Sequence, residues 1–349
     1  MTTRRFVILP RDASNRVYGS QSLGLAKAEV SFLQQAVLGE TSDVGEVELG
    51  GIHYLTVERF DRGLTELEIQ LLSNVSATYA LFELIDRQLA PITAQPRALC
   101  DDDILTIQRY SGKTNEQFTT LLVNVTLAAA AKGFHKLYGG EVVRLLDPAC
   151  GRGTTLNQCI VYGIDACGIE IDKRDVTAYE QFLVKWMQDK RAKHHVDRAT
   201  LRRGRPTAAQ RFTVGYKWSK TDTRERVVDV FADDTLHAAQ DFPKKSFDAV
   251  VCDLPYGVQH GSHGAAGQLS RSPEDLLRAA LPGWGDVLRT GGAIGLSWNL
   301  KTLPRQKVED VLVGNGFELT TFTDPTAFVH RVDHAIERDL IVATRSASR

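Results

Sequence analysis

Two patterns of apolar residues divide the chain. Over roughly the first hundred residues the pattern is amphipathic. RFVIL (5–9) and IHYLTVERF (52–60) read as strands. Residues 20–38 place Leu23, Leu25, Ala28, Val30, Phe32, Leu33, Val37 and Leu38 at helical spacing, and TELEIQLLSNVSATYALFELI (65–85) reads as one long amphipathic helix. Pro91, Pro96 and the acidic run Asp101–Asp103 then break the pattern. These signals predict a small α+β domain over 1–95, a linker over 96–110 and a second domain over 111–349. In the second domain a helix at 115–132 precedes short apolar runs: VVRLL (142–146), CGIEI (167–171), VVDVFA (227–232), FDAVVC (247–252), GAIGLS (292–297) and LIVAT (340–344). Strands apolar on both faces, alternating with helices, predict a doubly wound, mostly parallel α/β sheet of Rossmann-like type.

Composition fits this division. With 349 residues, 43% of them hydrophobic and 24% charged, the chain can bury two cores. The formal net charge of -1 hides an asymmetry. Residues 1–110 hold 10 Lys and Arg against 15 Asp and Glu, whereas 181–226, an insertion between the second and third strands, holds 13 against 4. His194, His195, Trp186, Phe212, Tyr216 and Trp218 are interleaved there, and RFTVGYKW (211–218) alternates like a β-ribbon with Gly215 at a turn. Such a segment suits RNA, with charges for phosphates and rings for unstacked bases; a solvated helix and loop carries the same charge pattern. The five cysteines form no CxxC pair and no zinc spacing, which predicts a reduced, cytoplasmic protein without a metal. The N-terminal apolar run is too short for a signal peptide, and no run suggests a membrane span.

Ligands of doubly wound sheets bind at the carboxyl ends of the strands, so each tip carries information. LLDPACGRGTTL (145–156) puts Asp147 at the first tip, followed by Cys150, Gly151 and Gly153, which let a ligand approach the backbone, and Thr154, which starts or caps the next helix. The pattern is GxGxxL, so the third glycine of a dinucleotide fingerprint is missing. Glu170, 17 residues after Gly153, ends the second strand, where an acid accepts both ribose hydroxyls of a nucleoside. Asp233 and Asp234 follow the third strand; Asp233 is the candidate partner of an adenine amine, and solvated turn acids would look the same. VVCDLPYG (250–257) ends the fourth.

Together the four tips resemble the S-adenosylmethionine (SAM) methyltransferase fold. DPACGRGT looks like its glycine-rich motif, GIEID like its ribose-binding motif, and DLPYG like the N-P-P-Y or D-P-P-Y signature of enzymes that methylate amines. The resemblance implies that the Asp253 carboxylate and the Leu254 carbonyl accept hydrogen bonds from the target amine. Pro255 sets the chain direction and Tyr256 stacks on the base. Leu254 stands where the family has its first proline. GKTNEQFTTLLVNVTLAA (112–129) is similar to the helix before the first motif in THUMP-associated tRNA guanosine-N2 methyltransferases, with Asn115, Glu116, Phe118, Thr119, Leu122 and Asn124 on its pattern. This implies that Asn124 lines the methionine end of SAM. The N-terminal part loosely resembles the ferredoxin-like region of the guanosine-10 enzymes, with LLSNVSATYALFEL as its helix. The implied activity is methyl transfer from SAM to guanosine N2 in tRNA, which docks on the N-terminal domain and on 185–226. A DNA adenine-N6 or cytosine-N4 methyltransferase and a non-catalytic SAM- or RNA-binding protein remain as alternatives; a dehydrogenase would need the third glycine. His330, Arg331, Asp333 and His334 either border the substrate pocket or form a strand turn.

Overall fold

The computed structural model describes residues 2–12, 16–40, 43–202, 208–255, 272–322 and 324–346. The N-terminal unit is a five-stranded antiparallel sheet, β1 (Thr3–Pro10), β2 (Val44–Leu49), β3 (Ile52–Phe60), β4 (Thr78–Ile85) and β5 (Gln88–Ile92), in the order β2-β3-β1-β4-β5. Its helices are α1 (Arg16–Leu33), which runs on into a π turn at Gln34–Leu38, and α2 (Glu66–Ser73). The single helix expected over 65–85 is therefore a helix followed by a strand. A capping box between Thr65 and Glu68 starts α2, and the Asn74 side chain bonds back to the Gln70 carbonyl at 2.7 Å where the helix stops. The Thr78 hydroxyl then reaches the Leu72 carbonyl at 2.7 Å, folding β4 back into the slot between β1 and β5. β4 is an inner strand whose apolar run does not alternate cleanly, and periodicity alone reads it as helix. Pro91 lies in edge strand β5, where a missing N–H is tolerated.

The second sheet contains β6 (Arg144–Asp147), β7 (Asp165–Glu170), β8 (Lys193–Leu201), β9 (Ala209–Lys217), β10 (Arg226–Ala232), β11 (Phe247–Asp253), β12 (Leu288–Asn299), β13 (Phe317–Leu319), β14 (His330–Arg331) and β15 (Glu337–Arg345). The order is β13-β15-β12-β11-β6-β7-β10-β9-β8, with β14 on β15. The core β12-β11-β6-β7-β10 is parallel and its flanks are antiparallel. Helices α3 (Glu116–Ala129), α4 (Gly133–Tyr138), α5 (Thr154–Tyr162), α6 (Lys173–Asp189), α7 (Ala238–Asp241), α8 (Pro273–Val287) and α9 (Arg305–Gly314) fill the connections. Neighbouring strand residues face opposite layers. Leu145 and Val251 pack with α3, α5 and α6, and Leu146, Val250 and Cys252 pack with α8 and α9. This is the expected Rossmann-like sheet with a small N-terminal α+β unit. Among the described residues no helix is long and apolar enough to cross a membrane.

The basic insertion differs from expectation. RFTVGYK lies in one strand, β9, and Gly215 sits within it, opposite His195 and Val227, rather than at a turn. Trp186, Phe212 and Tyr216 are buried, and Trp218 stacks on Trp186 with centroids 5.3 Å apart. These rings belong to the core, because the β8–β9 hairpin extends the main sheet and buries one face against α6. Much of the charge is spent inside the fold as well: Arg211 pairs with Asp229, Arg224 with Asp165, and Lys190 with Asp101 and Asp103. Arg191, Lys193, Arg202 and Lys220 remain exposed.

One apolar core runs from α1 into α3, and a buried polar cluster crosses the same boundary. Asn124, fully buried on α3, donates to Glu29 Oε1 (2.7 Å) and the Asn74 carbonyl (2.6 Å) and accepts from the Tyr162 hydroxyl (2.8 Å). Ser76 donates its N–H and hydroxyl to Glu29. Burial pushes the Glu29 carboxyl up to about 7, against the hydrogen bonds from Asn124 and Ser76. The native state therefore keeps a proton that the unfolded chain has released. The associated stability is full below the ordinary carboxylate range and is lost as pH rises through about 7. We predict that Glu29→Gln gains on the wild type between about pH 5 and about pH 8, by on the order of 1–3 kcal/mol, in urea unfolding. An equal difference at both pH values would contradict this account.

Candidate active site

The glycine turn after β6 is shaped by what it must clear. Gly153 caps α5 at φ 79°, and a side chain there would collide with the ring of Tyr179 on α6. Thr154 is the first residue of α5 and shares a 2.9 Å hydrogen bond with Tyr110. The Cys150 side chain is buried against Gly168, so only its backbone faces the turn. Glu170 Oε2 accepts the Gly151 N–H (2.9 Å) and Oε1 accepts the Asp172 N–H (2.8 Å). A carboxylate has room for about four such bonds, so acceptor capacity remains on both oxygens. Burial raises the Glu170 carboxyl against those two N–H bonds. Burial also pushes Asp147 up to about 7, despite hydrogen bonds from Thr155 and the Ala149 N–H, and the charges of Asp253 and Glu170 add to the rise.

The order of strands reverses between β6 and β11, which makes this the switch point of the sheet. Asp147 and Asp253 stand at the two adjoining tips. Asp253 Oδ1 accepts from the Ser297 hydroxyl (2.5 Å) and Oδ2 from the Thr114 hydroxyl (2.6 Å), and the buried Arg338 guanidinium lies 3.4 Å from Oδ2. Leu254 is buried in the core beneath α8 and α9, and its N–H donates to the Ser297 carbonyl at 2.8 Å. A proline at 254 would lack that bond and that side chain, which accounts for the leucine. Pro255 is exposed. Tyr256, with 257–271, lies outside the described residues.

Asp233 lies beside Glu170, whose carbonyl accepts its N–H at 3.1 Å; its Oδ1 accepts the Asp234 N–H (2.8 Å) and meets His237 Nδ1 (2.9 Å). Asp147, Gly151, Gly153, Glu170 and Asp233 thus gather at one end of the sheet, next to Asp253. Asn124 does not. Both of its side-chain polar atoms are engaged by Glu29, Asn74 and Tyr162 at the boundary with the N-terminal unit, so it is a packing residue there. Sequence reasoning missed Thr114, Ser297 and Arg338. Register brings two of them to Asp253: Ser297 pairs with it across β11 and β12, and Arg338 comes from β15, while Thr114 arrives with the segment ahead of α3.

A profile of the UPF0020 family, described as an RMKL-like methyltransferase domain, matches residues 123–290. This stretch is similar to that methyltransferase domain. The match implies SAM as the methyl donor, and the acceptors present suit an adenosine: an acid with spare acceptor capacity behind a glycine turn, and a second acid one strand further on. The chain is also similar to three solved structures. TrmN from Thermus thermophilus is 12% identical over 98% of this chain and 99% of its own, with a TM-score of 0.46. A putative RNA methyltransferase from Pyrococcus horikoshii is 14% identical over 70% and 96%, with a TM-score of 0.38. The Thermus thermophilus 16S rRNA N2 G1207 methyltransferase RsmC is 10% identical over 61% and 39%, with a TM-score of 0.32. No curated protein sequence matches the chain.

The clearance at Gly153 can be tested directly. Gly153→Ala puts a Cβ against Tyr179 at a positive φ, so it is expected to destabilise the fold by about 1–3 kcal/mol and to weaken SAM binding in calorimetry. An unchanged melting temperature would show that the turn has room to spare.

Proposed function

We propose that the protein transfers a methyl group from SAM to an exocyclic amine of a nucleobase in RNA, with guanosine N2 in tRNA as the favoured target. The observation that carries this reading is Asp253. It is an acid at the switch point of a methyltransferase domain, followed by Leu-Pro-Tyr and held by Thr114, Ser297 and Arg338.

An exocyclic amine is a weak nucleophile because its lone pair is delocalised into the ring. Asp253 and the Leu254 carbonyl accept its N–H groups, localise the lone pair and orient it, and the carboxylate takes the proton that the nitrogen sheds. The anchors Thr114, Ser297 and Arg338 keep this acceptor in one place, so the orientation is built before substrate arrives. Tyr256 supplies the stacking surface for a base drawn out of its helix. Asp147, the backbone at Cys150, Gly151 and Gly153, Thr154 at the start of α5, Glu170 and Asp233 hold the cofactor: Glu170 takes the ribose hydroxyls and Asp233 the adenine amine. SAM supplies an electrophilic methyl when bound. RNA docks on the exposed cations of the β8–β9 hairpin and on the N-terminal domain, residues 1–95.

The decisive experiment incubates the protein with labelled SAM and undermodified tRNA, then digests the RNA and identifies the labelled nucleoside. Label in N2-methylguanosine supports the proposal; label only in duplex DNA, or none despite tight SAM binding, rejects it. Asp253→Ala is expected to lower transfer by about a hundredfold or more while SAM affinity holds. Lys193→Glu with Lys220→Glu is expected to weaken tRNA binding and to flatten its salt dependence, by about one unit of slope for each phosphate no longer neutralised. An unchanged slope would remove Lys193 and Lys220 from the RNA interface.

A further inference from the structure

A cavity of about 200 Å³ lies beside the anchors of Asp253, walled by Tyr18, Lys113, Thr114, Glu116, His330 and Arg338. Tyr18 belongs to α1, so the N-terminal unit closes this cavity. Thr114 and Arg338 are two of the residues that hold Asp253.

His330 is the unusual member. It is 2% exposed, and its Nδ1 lies 3.0 Å from the Phe328 carbonyl. A carbonyl only accepts, so Nδ1 carries the proton. Burial lowers the His330 pKa, which favours the neutral ring. Nε2 is then an acceptor, and it is buried without a hydrogen-bond partner among the described residues. The ring has little freedom to turn away: Tyr18 meets it edge-on at 5.8 Å and Phe118 packs on it at 4.8 Å. Arg338, its register partner across β14 and β15, lies over the same Phe118 ring at 4.7 Å and reaches Asp253. Asp253 is also near enough for its charge to act on His330. A buried acceptor left unsatisfied is costly, and a ligand donor would relieve that cost.

The chemistry of the bases decides which donor fits. In guanine the N2 amine adjoins a ring N–H. In adenine and cytosine the amine adjoins an unprotonated ring nitrogen, which is itself an acceptor. Two protein acceptors joined through Arg338, Asp253 and His330, therefore match the donor–donor edge of guanine and oppose the other two. We propose that His330 Nε2 accepts the ring N1–H of the target base and thereby selects guanine. This rests on the function proposed above and adds the residue that sets base identity.

The test uses full-length protein, labelled SAM and undermodified tRNA, with free guanosine and free 2-aminopurine riboside as competitors. The second has the same 2-amine but an unprotonated N1. Guanosine is expected to inhibit the wild type roughly tenfold better or more. His330→Phe, which keeps the ring contacts and removes the acceptor, is expected to lose most of that difference and to raise KM for tRNA more than it lowers kcat. His330→Gln, whose side-chain carbonyl can accept, is expected to recover part of it. Equal inhibition of the wild type by the two nucleosides overturns the inference and needs no variant. So does a His330→Phe enzyme that binds SAM normally and discriminates as the wild type does. In both of those cases label in N2-methylguanosine leaves the proposed function standing. Label in methylated adenine or cytosine instead overturns both.

Discussion

Asp253 ties together parts of the chain that are far apart in sequence. Its two oxygens are held by Thr114 ahead of α3, Ser297 on β12 and Arg338 on β15. None of these contacts forms unless β11, β12 and β15 pair in register and α3 packs across them. The acid is thus a meeting point of the sheet, and its position is only as well defined as the pairing beneath it. The same register buries Leu254 and aligns its N–H with Ser297. The chain leaves the sheet here through a fixed peptide rather than a loose turn.

The site also concentrates like charge in a poor solvent. Asp147, Glu170 and Asp253 lie on three neighbouring tips, and burial raises the first two. Backbone N–H groups from the glycine turn, from Ala149 and from Asp172 offset part of that cost. Glycine is required at 153 for a mechanical reason, the nearness of Tyr179, and the turn this permits also delivers the Gly151 N–H to Glu170. Backbone shape and electrostatics are therefore solved by one local arrangement.

A second buried acid, Glu29, works at the boundary of the two sheets. Its partners come from both sides: Ser76 from the N-terminal unit and Asn124 from α3. Asn124 shows how a motif position can serve packing instead of ligand. The helical pattern of 112–129 correctly reads as a helix, but which of its faces meets the ligand depends on what packs against the other. That partner, α1 with the turn at Asn74–Ser76, lies far upstream in the chain.

By itself the sequence determined the features that are local. Apolar runs marked the parallel strands, and the first four runs ended in an acid or glycine turn because strand tips in such sheets must meet both ligand and solvent. In the second domain it also established the alternation of strand and helix, and hence the fold class. Tertiary structure alone decided the rest. It split 65–85 into a helix and a strand, since a central slot between β1 and β5 outweighs helical periodicity. It turned the aromatic residues of the basic insertion inward, since the hairpin joins the sheet edge and buries one face. It brought Thr114, Ser297, Arg338 and His330 to the neighbourhood of Asp253. Ser297 and Arg338 carry no local signal, because pairing across strands depends on register, and register is set by burial over the whole sheet rather than by neighbours in sequence.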